Sequence, residues 1–221
     1  MAFFPKFRRS QAGMKRMYNR INRLYSSITG VLGPKLTIIV DHIQSKHPDL
    51  KDASVLEYAC GTGLLSLRLA PYCRSLTAKD QSAGMLAVAR ERAAQNDALP
   101  VTFCEGDILA ITEADHSYDY AFVSFALHLF PLEQEIEILR NLCRVARKAV
   151  VIIDHERTWR PMVALVEWIE GGYYDQFLKT DFGTLWPQTG AVSFEEDEIA
   201  ECRVMCFHVV PPKGWRQTTR G

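Results

Sequence analysis

Residues 54–63, SVLEYACGTG, run a short apolar segment into two glycines set two positions apart, and few folds accommodate that order. Ser54 to Tyr58 reads as a buried strand carrying a carboxylate, Glu57, next to its end. Cys60-Gly61-Thr62-Gly63 then makes a tight turn, and Leu64 to Ala70 continues with apolar residues at helical spacing. Glycines there remove Cβ atoms where a ligand must lie against the backbone, and a helix start offers N–H groups without intrahelical partners. A second strand, Ser75 to Lys79, is closed by Asp80, seventeen positions after Gly63. An acid at that place suits the two hydroxyls of a ribose. The stretch reads as a nucleoside-binding βαβ unit.

Charge narrows the nucleoside. A dinucleotide site uses G-x-G-x-x-G to press its backbone against a pyrophosphate. Here Gly61-Thr-Gly63-Leu-Leu-Ser66 lacks the third glycine, and Glu57 stands just before the turn. A carboxylate at that point repels two phosphates and favours a ligand carrying an ammonium and a sulfonium. S-adenosylmethionine (SAM) has those charges. Four segments in order then resemble the class I SAM-dependent methyltransferases: VLEYACGTG, AKDQSAGMLAVAR at 78–90, CEGDILAI at 104–111 and YDYAFVSFALHLF at 118–130. The similarity runs from about Tyr18 to Asp154 and is strongest to the small-molecule branch that includes the ubiquinone/menaquinone methyltransferases.

The resemblance implies an α/β fold: a Rossmann-like, doubly wound seven-stranded sheet, mostly parallel, with an antiparallel last strand. Ligands are then expected at the carboxyl ends of the strands. It implies SAM as methyl donor, held by Glu57, Ala59, Gly61, Thr62, Gly63, Asp80, Gln81, Met85, Asp107, Ile108 and Ser124. Asp107, at the end of the strand Val101 to Cys104, is the expected reader of the adenine amino group. Tyr18 and Tyr25, in a helical stripe from Met14 to Ile28, are expected to close over the donor or touch the acceptor; core packing is the competing reading. His128 lies four residues beyond the fourth strand, Tyr118 to Ser124. It is the candidate catalytic base and acceptor contact, weighed against a structural histidine bonded to backbone. His155 is the further acceptor-binding candidate.

Length sets the domain count. A chain of 221 residues suits one domain, since folding at that size buries about 70% of the unfolded surface. The expected division is a basic helical arm or lid over 1–45 and a single methyltransferase domain over 46–221. Residues 1–35 carry eight Lys/Arg and no acid, whereas the remainder is net −8. Phe3, Phe4 and Phe7 interleave the first basic cluster, so the arm reads either as solvated or as a peripheral contact with anionic membrane. No apolar run reaches the roughly 20 residues of a membrane span, and MAFFPKFRRS has no secretory h-region. The six cysteines form no C-x-x-C pair and read as buried thiols in a reducing compartment. A cytoplasmic protein is expected, with peripheral membrane association as the variant; nucleic acid is not expected as a partner.

Further on, Pro131 to Arg147 is an amphipathic helix with Ile136, Leu139, Leu142, Cys143 and Ala146 facing the sheet and Glu133, Glu135, Glu137 and Arg140 outward. Val150 to Asp154 is the fifth strand. Asp154-His155-Glu156 lacks the spacing of a closed ligand set, so no metal is expected. The apolar and aromatic stretch Met162 to Tyr174, with Trp159 just before it, is expected to wall an apolar acceptor pocket, with core packing as the competing reading, and Phe194 to Val210 to supply the last antiparallel strands. The expected activity is methyl transfer from SAM to a small apolar or aromatic acceptor, releasing S-adenosylhomocysteine. Phospholipid N-methylation at a membrane surface and a non-enzymatic SAM-binding or assembly module are the alternatives.

Overall fold

A computed structural model describes residues 9–29, 33–95, 98–200, 202 and 204–211; the side chains of 11, 22–29 and 162 lie outside the description. The aromatic start of the arm, Tyr25 and the C-terminal tail therefore fall beyond it.

Alternation of side chains builds the sheet. On β4 (Tyr118–Ser124), Ala121 and Val123 enter one apolar cluster while Tyr120 and Phe122 enter the other. On β5 (Ala146–His155), Val150 and Ile152 go one way and Val151 and Ile153 the opposite way. A strand buried on both faces needs apolar residues at every position, which is why these runs are continuous. With β1 (Ser54–Tyr58), β2 (Ser75–Asp80), β3 (Val101–Glu105), β6 (Ser193–Ile199) and β7 (Val204–Val210), they form one seven-stranded sheet ordered β3-β2-β1-β4-β5-β7-β6. β3, β2, β1, β4 and β5 are mutually parallel; β7 runs antiparallel to β5, and β6 antiparallel to β7. The Rossmann-like, mostly parallel sheet expected from the motifs is the fold observed.

Helices cover both faces. α2 (Gly33–Lys46) buries Leu36, Ile39, Val40 and Ile43 in the same cluster as Leu65 of α3 (Leu64–Leu69) and Leu86 of α4 (Ala83–Ala93). α2, which falls within the 1–45 segment read as the arm, thus packs in this helical layer. The opposite face carries α5 (Leu132–Val145) and α8 (Phe182–Thr189). α1 (Gln11–Thr29) packs on α4 and buries Met14 in the α5-side cluster. Two short helices, α6 (Pro161–Glu170) and α7 (Tyr174–Phe177), precede α8.

Two expectations need correction. α5 ends at Val145 and the chain passes straight into β5 at Ala146, two residues before the expected helix end. Side chains hold that junction: Arg144 donates to the carbonyls of Ile111 and Glu113, and Arg147 donates to Asp119 and the His116 carbonyl. Glu135, expected outward, is fully buried.

Among the described residues no helix is long and apolar enough to cross a membrane. Phe207 of β7 is fully buried, 4.6 Å in ring-centroid distance from Phe182 and 5.8 Å from Trp186, and so pins α8 to the sheet. Phe207→Ala should cost about 3–5 kcal/mol, read as a lower urea midpoint at unchanged slope.

Candidate functional site

The turn after β1 is built from left-handed backbone. Ala59, Gly61 and Gly63 have φ of 56°, 53° and 73°. An alanine there costs on the order of 1 kcal/mol, so the surrounding bonds must hold it. Cys60 N–H donates to the Lys79 carbonyl at 3.0 Å, and Gly63 N–H to the Cys60 carbonyl at 2.9 Å. The two glycines do different work. A Cβ on Gly63 would meet Phe103 at 2.8 Å, so that glycine permits packing against β3. A Cβ on Gly61 would meet nothing within 4 Å; that part of the turn faces open space. Thr62 is buried and accepts from Arg92 through both its hydroxyl, at 2.7 Å, and its carbonyl, at 2.9 Å.

Two carboxylates frame the turn. Asp80 accepts Gly61 N–H on one oxygen and Ser82 N–H on the other, both at 2.8 Å. Burial raises its pKa, partly offset by those N–H groups. Glu57 is fully enclosed and accepts the hydroxyls of Ser66 at 2.5 Å and Ser124 at 3.2 Å. Burial pushes its pKa to about 7 despite the two hydroxyls, and Asp80 adds to the rise. Asp107 stands exposed beyond β3, accepting Leu109 N–H at 2.9 Å. Ile108 and Met85 are buried, and Gln81 follows directly on Asp80. The structure therefore gathers Glu57, Asp80, Gln81 and Ser124 around the carboxyl ends of adjacent strands, with Asp107 at the next strand end.

A second cluster lies beyond the ends of β4 and β5. His128 is only 2% exposed; its Nδ1 is 2.6 Å from Asp154 and its Nε2 is 3.0 Å from Glu167 of α6. Burial alone would lower the imidazole's pKa, but the two carboxylates outweigh it and hold His128 well above its ordinary value as a cation. The sequence reading placed a neutral base here; the structure differs, because both ring nitrogens are engaged by acids that approach from other elements. His155 is the more accessible ring, with its side chain 24% exposed and Nε2 3.3 Å from Glu167. It packs edge-on to Tyr174 and tilted against Phe125, a residue at φ 49°. For a bulky side chain that backbone is an outlier.

α6 inverts the usual helix pattern. Glu167 and Glu170 point inward, whereas Val166 and Ile169 are 46% and 50% exposed. Tyr18 of α1 donates to Glu170 at 2.6 Å, and the neighbouring Asn19 accepts from Ser82 Oγ at 2.7 Å and Gly84 N–H at 2.9 Å. α1 thereby spans from the Asp80 side to the histidine cluster. Sequence reasoning missed Asn19, Ser66, Phe125, Glu167 and Glu170. Only the paired glutamates of α6 left a signal, as acids within an otherwise apolar helix. Of the aromatic residues expected to wall a pocket, Tyr174 joins the cluster, while Trp159 is half-exposed.

A model described as "Methyltransferase domain" matches residues 55–149. The demethylmenaquinone methyltransferase of Shouchella clausii is 28% identical over 128 residues, 57% of this chain and 53% of that protein. One from Listeria monocytogenes is 29% identical over 133 residues, 59% and 53% of the two chains. The chain thus spans about half the length of these relatives. Among solved structures, magnesium protoporphyrin IX methyltransferase from Synechocystis, with bound SAH, superposes with a TM-score of 0.60 at 16% identity, over 81% of this chain and 83% of that one. A likeness at that identity carries the fold.

Glu135 supplies a test of the buried charge. Both its oxygens are enclosed without a hydrogen-bond partner, and burial, together with Asp154, raises its pKa to about 8. An acid with a raised folded pKa contributes stability that is full below its unfolded value, ~4.3, and is lost as pH climbs through the folded one. Glu135→Gln should match wild type near pH 4.5 and exceed it by about 2 kcal/mol or more above pH 8, measured by urea unfolding at both pH values.

Proposed function

We propose that the chain, whose residues 55–149 match a methyltransferase-domain model, is a class I SAM-dependent methyltransferase that transfers a methyl group from SAM to a small, apolar or aromatic acceptor. The observation that carries this reading is the pairing at one turn of a buried acid, Glu57, with Asp80, whose oxygens are both fixed by backbone N–H groups. Open space above Gly61 fits a ligand lying against the turn. Asp80 would take the ribose hydroxyls on its remaining lone pairs, and Asp107 the adenine amino group. Glu57, poised near pH 7, would ionise fully when a cationic ligand lies alongside.

When bound, SAM supplies an electrophilic methyl on sulfur. The protein's own task is then placement: an acceptor held in line with the S–CH₃ bond reacts without further activation. On the acceptor side, His128 is the positioning residue, a cation locking Glu167 in place. His155, the ring with more access, is the group we assign to orient the acceptor or take its proton. Phe125, Tyr174 and His155 make that side aromatic, which suits a flat or apolar acceptor.

Turnover of SAM to S-adenosylhomocysteine should appear with one of a panel of quinols, phenols, amines and phospholipids. Tight S-adenosylhomocysteine binding with no turnover on any of them would favour a SAM-binding module instead. Calorimetry of Asp80→Ala should show S-adenosylhomocysteine bound about 1.5–3 kcal/mol more weakly, the scale for hydrogen bonds to a charged group; unchanged binding by a folded variant would refute the ribose assignment. His155→Ala should lower kcat about 10²-fold, the scale of general-base help, while leaving S-adenosylhomocysteine affinity within about twofold. His128→Gln should show itself first as lost thermal stability, since it leaves buried acids without their cation.

A further inference from the structure

On the far side of the domain, three elements bring metal-ligand atoms to one point. His42 lies on α2, Asp197 on β6, and Cys206 and His208 two positions apart on β7. Cys206 and His208 therefore share a strand face, and Asp197 is the cross-strand partner of Cys206. All of them project from the sheet toward α2. His42 Nε2 is 3.1 Å from Asp197 Oδ2, and His208 Nε2 is 3.4 Å from that same oxygen. Cys206 Sγ is 3.4 Å from His208 Nε2. The ligand atoms of His42, Cys206 and His208 all lie within 4.8 Å of one another.

We propose that His42, Cys206 and His208, with Asp197 as fourth ligand, form a binding site for a zinc-class divalent cation that ties α2 to the C-terminal hairpin. Tetrahedral zinc with bonds of about 2.0–2.1 Å to nitrogen and 2.3 Å to sulfur sets its donors roughly 3.3–3.6 Å apart, close to the three separations observed. One thiol, two imidazoles and one carboxylate suit zinc or cobalt over magnesium or calcium, which take oxygen ligands. The outer nitrogen of His208 is also engaged: Nδ1 is 2.8 Å from His47 Nε2, the kind of contact that fixes a ligating ring's tautomer and orientation. Lys46 Nζ sits 3.0 Å from Asp197, but also 2.5 Å from Glu195, so it retains a carboxylate when Asp197 turns to the cation. Cys206 is a buried free thiol, and binding would release its proton to solvent.

Spacing along the chain hides this site. His42 and Asp197 are 155 positions apart, so the expectation of no metal, drawn from neighbouring residues, did not reach it. The acceptor-side trio His128, His155 and Glu167 also brings three ligand atoms together, yet it contains no thiol and its groups pair with one another. That difference gives the test its discrimination.

The full chain, stripped with chelator, should bind one equivalent of Co²⁺ with tetrahedral visible bands and a near-ultraviolet thiolate-to-cobalt charge-transfer band. Zn²⁺ should displace the cobalt and raise the thermal midpoint. Cys206→Ser should abolish the charge-transfer band. His42→Gln, at a position whose side chain is 25% exposed and lies outside the apolar core, should weaken Zn²⁺ binding roughly tenfold or more, as expected for a lost ligand. Absence of saturable binding at micromolar Zn²⁺ would overturn the proposal. So would a cobalt spectrum without the thiolate band, or Zn²⁺ affinity unchanged in His42→Gln.

Discussion

The architecture of the turn after β1 depends on one buried carboxylate. Glu57 sits where β1, α3 and β4 meet, and its two oxygens accept from Ser66 of α3 and Ser124 at the end of β4. Enclosing an acid is costly unless its oxygens are bonded, so the three elements are held in one register around it. That register leaves little choice for the next residues. The chain turns left-handed at Ala59 and passes through two more left-handed positions before α3 begins. The turn in turn presents Gly61 N–H to Asp80, which draws the ends of β1 and β2 together. Strand pairing supplies the frame on which the acid, the turn and the second acid are brought together.

What was legible in the sequence follows from how far apart the interacting groups lie. The glycine turn, Glu57 and Asp80 could be read because strand, turn and strand follow one another within 27 residues. The sheet's strands could be read because burial on both faces forces continuous apolar runs. The histidine cluster could not. His128 stands 26 positions from Asp154 and further still from Glu167, so nothing near it in the chain announced that it would be cationic. α6 misled for another reason. Apolar residues in a helix are assigned to the core by default, yet here Glu167 and Glu170 take the inner face because two histidines and a phenol wait there. Glu135 shows the same failure: the period of α5 marks which residues share its face, but not how much of the N-terminal turn other elements cover.

The two ends of the site are joined by α1. Tyr18 and Asn19 are consecutive, so their side chains leave the helix about 100° apart and reach opposite neighbours, Glu170 of α6 and the start of α4. Below them Arg9 donates its backbone N–H to Gly171 and its side chain to Ile169. Each of these hydrogen bonds is worth about 1 kcal/mol net, and Met14 adds an apolar anchor. The Tyr18 bond to Glu170 also depends on charge. Burial and Glu167 raise the pKa of Glu170 to about 7, while the Tyr18 hydroxyl favours the ionised form. A phenol donates more strongly to a carboxylate than to a neutral acid. Glu167, which pairs with His128, also raises the pKa of Glu170 and so bears on how strongly the Tyr18 hydroxyl is held.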